Sequence, residues 1–317
     1  MSIKLDVGKW GKPRDSRLEK TKERQPEPVV WTPEISQPTR LNVGTWNYRR
    51  DSRLESTLVS DPNRTVVTLI GGLGNQMFQR AFGLALETRG RDVSYNTGCC
   101  QGDHRVYSLG YFENLPLSAL LDSTILEENL GFNPKYLSPG RPSTMVGFWQ
   151  SEKYFEDIAD KVRQIFRFKE PSPTGPASRL ITEVQRAPSA FIHVRRQDYV
   201  NLQYYHGMPS LEYYQKAIEL IRSIDPDVKI YVFSDDRQWC RENFSSDFYV
   251  VDGTDKYEDL QLMSLCKHAV IANSSFSWWG AWLGDAQSDR VVVAPEKWFA
   301  TAGLNSQDIV PLRWNKL

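Results

Sequence analysis

The sequence has no excess charge of either sign. Lysine plus arginine number 39 and aspartate plus glutamate 39, a net charge of zero at pH 7. A neutral chain has no broad field to steer it onto nucleic acid or an anionic bilayer, so any anion chemistry must sit in a local basic cluster. Long apolar runs are missing as well. Nowhere do 18 apolar residues follow one another, which excludes an apolar membrane-spanning helix. The first residues, MSIKLDVGKWGKPRDSRLEK, have no apolar stretch of the signal-peptide kind. Cysteine is scarce: Cys99, Cys100, Cys240 and Cys266 form no CxxC pair, so no metal site is expected from them and reduced thiols fit. The histidines His104, His193, His206 and His268 are not spaced as zinc ligands, and HExxH is absent. These absences predict a cytoplasmic protein, with peripheral attachment to a membrane left open.

What is present is the balance of a globular protein, 40% apolar and 25% charged, in 317 residues that allow two domains. Residues 1–63 stand apart, rich in Lys, Arg, Glu and Pro. They hold a duplication: LDVGKWGKPRDSRLEKT at 5–21 returns as LNVGTWNYRRDSRLEST at 41–57. Two copies are too few for a solenoid. The composition predicts a disordered tail; the alternative is a pair of docking motifs anchored by Trp10 and Trp46, with a partner the sequence does not name.

From about Thr65 the pattern is globular. TVVTLI at 65–70 reads as a buried strand, GGLGNQ at 71–76 as a glycine turn, and the residues from Met77 to Thr88 as a helix. DVSYN at 92–96 reads as a second strand. The stretch 97–188 is mixed, with PSPTGP at 171–176 an exposed loop or linker. Beyond 189 strands alternate with helices: strands at 189–194, 229–234, 248–252, 268–273 and 290–295, helices at 211–224, 257–266 and 275–284. Such alternation predicts parallel, doubly wound sheets, here two halves at 64–188 and 189–317, with ligands outside the carboxyl ends of the strands.

Four segments at such ends carry possible chemistry. In HVRRQDY at 193–199, Arg195 and Arg196 follow a buried strand, where a guanidinium can clamp phosphate and stabilise a leaving diphosphate. The alternative is an exposed pair bonded to surface carboxylates; the placement favours phosphate. In GGLGNQ the glycines permit close backbone approach and the next helix offers N–H groups to an anion, or the segment is simply a tight turn. It is neither GxGxxG nor a P-loop, which argues against a dinucleotide-dependent oxidoreductase. Asp235 and Asp236 could accept hydrogen bonds from a base or sugar, bind a metal, or cap a helix. Asp225-Pro226-Asp227 reads as a turn. In NSSFSWWGAWL at 273–283, Asn273, Ser274 and Ser275 offer short donors at a helix N-terminus, and Phe276 could stack on a base or pack in the core. Trp278, Trp279 and Trp282 read as core.

Together GGLGNQMFQ, HVRRQDY, VFSDD and NSSFSWW resemble, in order and rough spacing, the motifs of the α-1,2-fucosyltransferase family, glycosyltransferase family 11. The resemblance spans about residues 65 to 317 and leaves the tail outside. It implies an α/β, GT-B-like fold: two Rossmann-type halves with a cleft between them, the acceptor on the N-terminal half and GDP-fucose held mainly by the C-terminal half. It also implies inversion at the anomeric carbon, no metal or other cofactor, and a galactose-containing glycan acceptor joined through its 2-hydroxyl. Carried over by position, Arg195 grips the diphosphate, with Arg196 beside it. His193 and Asp236 contact the nucleotide, with Asp235 as the neighbouring alternative. Asn273, Ser274, Ser275 and Phe276 line its pocket, and Gly72, Gly74, Asn75 and Gln76 close the cleft from the other half. Near the same strand end, Asp198 and His206 are candidates for general base, Asp198 first. Transfer of another GDP-sugar, another fucosyl linkage and an inactive glycan-binding relative are the rivals.

Overall fold

A computed structural model describes residues 61–100, 106–197, 207–285, 289–301 and 303–317. The expected disordered tail, with its duplicated segments and Trp10 and Trp46, lies outside the described residues except at 61–63, as do His104, Asp198 and His206.

The first β-branched run forms β1 (Arg64–Thr68), buried along its last four residues. Gly71 then turns the chain with a φ of 82°, a conformation that costs glycine little. Helix α1 (Leu73–Thr88) follows, one turn earlier than expected. Gly72 is its N-cap, and Leu73, Met77 and Phe78 already lie on the buried face. Strand β2 (Asp92–Asn96) returns parallel to β1. The unread stretch supplies β3 (Thr124–Leu126), β4 (Ser143–Val146), α2 (Ala159–Ile165) and α3 (Pro176–Arg186). The PSPTGP loop ends at Gly175, because Pro176 takes the first helical position, where its missing N–H is no loss.

The second half runs β5 (Ser189–Val194), α4 (Leu211–Ile224), β6 (Lys229–Ser234), α5 (Arg237–Asn243), β7 (Tyr249–Val250), α6 (Lys256–Leu265), β8 (His268–Val270), α7 (Ser275–Leu283), β9 (Val292–Ala294) and β10 (Asn315–Lys316). The Ser210 hydroxyl accepts the Tyr213 N–H to start α4, as expected of a capping serine. Asp255 and Glu258 form a reciprocal capping box on α6. Strands β7, β8 and β9 are shorter than the apolar runs that contain them, since ladder pairing stops before the burial does. Asp225 ends α4 in the expected turn; its carboxylate accepts from Lys267 at 2.7 Å and pairs with buried His268 at 2.6 Å.

Every strand pairing is parallel, in two sheets of order β2-β1-β4-β3 and β10-β9-β8-β5-β6-β7. The winding direction reverses between β1 and β4 in the first sheet and between β5 and β8 in the second. In open α/β sheets ligands collect outside the carboxyl ends at such reversals. These are the ends from which GGLGNQ, HVRRQ and NSSF emerge, and β4 adds Gly147–Gln150. Helix α3 precedes residue 189 yet packs on α6 of the second half.

One aromatic core runs between the halves. Phe78 of α1 lies 4.4 Å from the Trp278 ring, and Phe155 stacks on Trp279 at 5.6 Å. The three tryptophans of α7 are core, as expected, and each indole N–H is satisfied: Trp278 by the Ile309 carbonyl, Trp279 by the Gly74 carbonyl and Trp282 by Glu152. Buried indoles join large apolar area to one fixed donor, which sets the helix in place. All four cysteines carry free thiols. Among the described residues no helix is long and apolar enough to cross a membrane.

Candidate active site

The carboxyl end of β5 carries the two arginines, and their surroundings differ. Arg196 is locked. Its Nε lies 3.2 Å from the Asp236 carboxylate, its guanidinium stacks on the Trp239 ring at 4.1 Å, and its backbone N–H donates to Asp235. Arg195 is more exposed, at 37% against 24%, and its Nε lies 3.3 Å from Asp235. An ion pair with one partly exposed partner and a single contact can be exchanged for a stronger anion. The Arg195 guanidinium is thus the less constrained of the two, while that of Arg196 is braced by Asp236 and Trp239.

The acidic pair serves the same loop. Asp235 accepts the N–H groups of Arg196 and Gln197, and Asp236 accepts the Trp239 N–H as N-cap of α5. Capping, one of the alternatives weighed for these residues, thus accounts for Asp236 together with its Arg196 contact. Neither acid joins a metal-ligand cluster among the described residues.

Opposite stand two helix N-termini in contact. A Cβ on Gly74, in the first turn of α1, would fall 2.5 Å from the Ser275 carbonyl carbon and 2.6 Å from the Phe276 nitrogen, in the first turn of α7. Only glycine lets the two backbones approach so closely. The first N–H groups of a helix lack intrahelical partners and sit at the positive end of its dipole, so two abutting N-termini favour an anion. Ser274 caps α7 without a side-chain hydrogen bond, and Ser275 and Phe276 are partly exposed beside it. Gly72 stands in open space.

Some of the residues expected to contact the donor also carry structural contacts. Gln76 is fully buried: its amide nitrogen donates to the carbonyls of Gly71 and Val106, and its oxygen accepts from Ser108 N–H. Both of its donor hydrogens and one oxygen lone pair are thereby used to brace the chain around 71 and 106–108. Gly74 serves the helix contact. Asn273 is 3% exposed and its Nδ2 donates to the carbonyls of Gly207 and Trp298, pinning two loops. Asn75 sits at the reversal of the first sheet, where Gln150 donates to its Oδ1 at 2.8 Å. Gln150, on the loop after β4, was not anticipated; only the fold brings it to Asn75.

His193 closes β5 beside Phe276, ring centroids 5.8 Å apart. It is 5% exposed, and its Nδ1 has no hydrogen-bond partner. Burial, with a smaller effect of Arg195, pushes its pKa down to about 3, so the imidazole is neutral at physiological pH. A neutral, unpartnered ring nitrogen can accept or donate one hydrogen bond, as a nucleotide contact requires.

Comparison with known proteins fits this picture. The model for "Glycosyl transferase family 11" matches residues 137–317. An alpha-1,2-colitosyltransferase of Escherichia coli is 32% identical over 80% of this chain and 98% of its own length. The O-antigen biosynthesis glycosyltransferase WbnK of the same organism is 30% identical over 78% and 99%. A galactoside alpha-(1,2)-fucosyltransferase 1 of Leontocebus fuscicollis is 26% identical over 71% and 66%. Among solved structures, POFUT1 in complex with GDP-fucose aligns with a TM-score of 0.39 at 15% identity, over 74% of this chain and 98% of that one. The match to the family model covers more than half of the chain, and the bacterial relatives align almost end to end: the chain belongs to glycosyl transferase family 11.

Proposed function

We propose that this glycosyltransferase moves L-fucose from GDP-fucose to the 2-hydroxyl of a galactoside, with inversion and without a metal ion. The observation that carries the reading is the contact between the N-termini of α1 and α7, at the carboxyl ends of the two sheets, with Arg195 following β5, the strand next to β8. That is a site for a diphosphate whose charge rises as the sugar leaves. Several of its relatives carry an α-1,2 linkage in their names, and the fucosyltransferases among them name a galactoside.

In the reaction the acceptor oxygen bonds to the anomeric carbon as the bond from that carbon to the β-phosphate oxygen breaks. The electron pair leaves with GDP. Arg195 turns from Asp235 to the phosphate and neutralises the developing charge, aided by the free N–H groups of α7. Because the fucosyl carbon gains oxocarbenium character, departure runs ahead of attack and the demand on a base is small. The hydroxyl proton passes to Asp198, or to His206. His193 and Phe276 hold the nucleotide. The acceptor binds on the side of the first sheet.

A second donor has specific support: one relative at 32% identity is named as a colitosyltransferase. Incubation with GDP-fucose and a panel of β-galactosides in EDTA, with mass spectrometry and linkage analysis, tests the reading. An α-1,2-fucosylated galactoside is the expected product. Product only from another GDP-sugar, another linkage, no product at all, or loss of product in EDTA contradicts it.

A further inference from the structure

Glu127 follows β3 at the carboxyl end of the first sheet and is 2% exposed. Its Oε2 accepts the N–H groups of Phe148 at 2.7 Å and Trp149 at 3.2 Å, in the loop leaving β4. Its Oε1 is buried without a hydrogen-bond partner. The loop it grips is constrained. Gly147 has no room for a side chain, since a Cβ would lie 2.6 Å from that of Glu127, and its carbonyl accepts from Gln79. Trp149 has a φ of 55°, a left-handed conformation that a bulky residue keeps only when its neighbours hold it there. Trp149 stacks on Phe82 of α1 at 4.3 Å, and the next residue, Gln150, donates to Asn75. That last bond spans the winding reversal between β1 and β4.

We infer that Glu127 is a positioning residue for transfer: through the 147–150 loop it sets where Asn75 stands at the mouth of the cleft. The inference rests on the proposed transfer reaction for its kinetic part. The chemistry is that of one buried carboxyl with two states. Ionised, it gives the Phe148 and Trp149 N–H groups charge-assisted hydrogen bonds and holds the loop tightly. Protonated, it accepts them as a neutral carbonyl, and the loop loosens. Burial raises its pKa to about 7, against the pull of the two N–H donors, so both states are populated near neutrality. No basic side chain among the described residues forms an ion pair with it. The ionisable groups nearby are the phenols of Tyr154 and Tyr136, which accept the N–H groups of Asn133 and Glu128, and the Lys153–Asp308 pair beyond Tyr154. Glu128 itself turns to Lys135 at the surface.

The test follows the full chain from pH 5.5 to 8.5, with the Asn75 side-chain amide as NMR reporter and kcat/KM for transfer alongside. In the wild type the Asn75, Phe148 and Trp149 signals should titrate together with a midpoint near 7. In Glu127→Gln, whose amide oxygen can accept both N–H groups but cannot ionise, all three should stop titrating. In Gln150→Ala, which leaves the buried carboxyl untouched, Phe148 and Trp149 should still titrate while Asn75 does not. Wild-type kcat/KM should equal that of Glu127→Gln at low pH and exceed it by about tenfold at pH 8.5, the difference between a charge-assisted and a neutral hydrogen bond. A rate ratio independent of pH, or an Asn75 signal indifferent to Glu127, overturns the inference. Absence of transfer by the wild type would refute the functional reading instead, and the NMR titration would still decide the coupling.

Discussion

Replacing Arg195 by alanine separates catalysis from stability. In the structure the guanidinium contributes a half-exposed ion pair to Asp235 at 3.3 Å. Asp235 keeps two backbone N–H donors when the arginine goes, from Arg196 and Gln197. The expected loss of stability from this partly buried single-contact pair is about 1 kcal/mol. The catalytic loss is larger. A fixed donor aimed at developing charge contributes roughly 10²- to 10³-fold in kcat, about 3–4 kcal/mol. The assay is GDP release at saturating GDP-fucose and acceptor, beside a thermal melt of the same preparation. Arg195→Ala should melt within a few degrees of wild type and turn over at least about a hundredfold more slowly. Arg195→Lys, a point charge without the two-pronged geometry, should recover part of the rate. A turnover within tenfold of wild type for the alanine variant would refute the reasoning.

Three further outcomes follow from the same geometry. Gly74→Ala should destabilise by about 1–3 kcal/mol and slow transfer, since its Cβ meets the Ser275 backbone at 2.5 Å; chemical denaturation and the transfer assay read both effects. Trp279→Phe keeps a ring against Phe155 but removes the indole bond to the Gly74 carbonyl, and should cost about 0.5–1.5 kcal/mol in the same denaturation experiment. His193, with a pKa of about 3 in the fold, binds fewer protons there than in the unfolded chain between that value and 6.5. Its contribution is therefore intact above pH 6.5 and falls as the pH drops toward 3, by on the order of 2 kcal/mol at pH 5. Denaturation at pH 7.5 and 5 should show that extra loss in wild type and not in His193→Gln.

Much of this was legible in the sequence, and the exceptions have physical causes. Strands β5 and β6 and helix α4 carry short, largely apolar runs or a clean 3.6-residue apolar face, and their bounds match the expectation. The start of α1 was misplaced because glycines suggest a turn, although Leu73, Met77 and Phe78 already had helical spacing. Strand β3 has three residues, two of them exposed, so only its pairing with β4 marks it as a strand. At the site the motifs identified which loops gather but not which side chains face a ligand. Arg195 and Arg196 are adjacent in sequence yet differently surrounded, because Trp239 and Asp236 engage one of them. Gln76 and Asn273 belong to motifs, yet their amide nitrogens donate to backbone carbonyls of distant loops. Glu127 and Gln150 lay in the unread stretch; their significance depends on contacts across the sheet that no local pattern encodes.

The central claim is that Arg195 and the N-terminus of α7 receive the pyrophosphate of GDP. A crystal structure of the full chain soaked with GDP addresses it directly. The account predicts the β-phosphate within hydrogen-bond distance of the Arg195 guanidinium and of an N–H in the first turn of α7. A pyrophosphate bound elsewhere, with Arg195 still paired to Asp235, would contradict it.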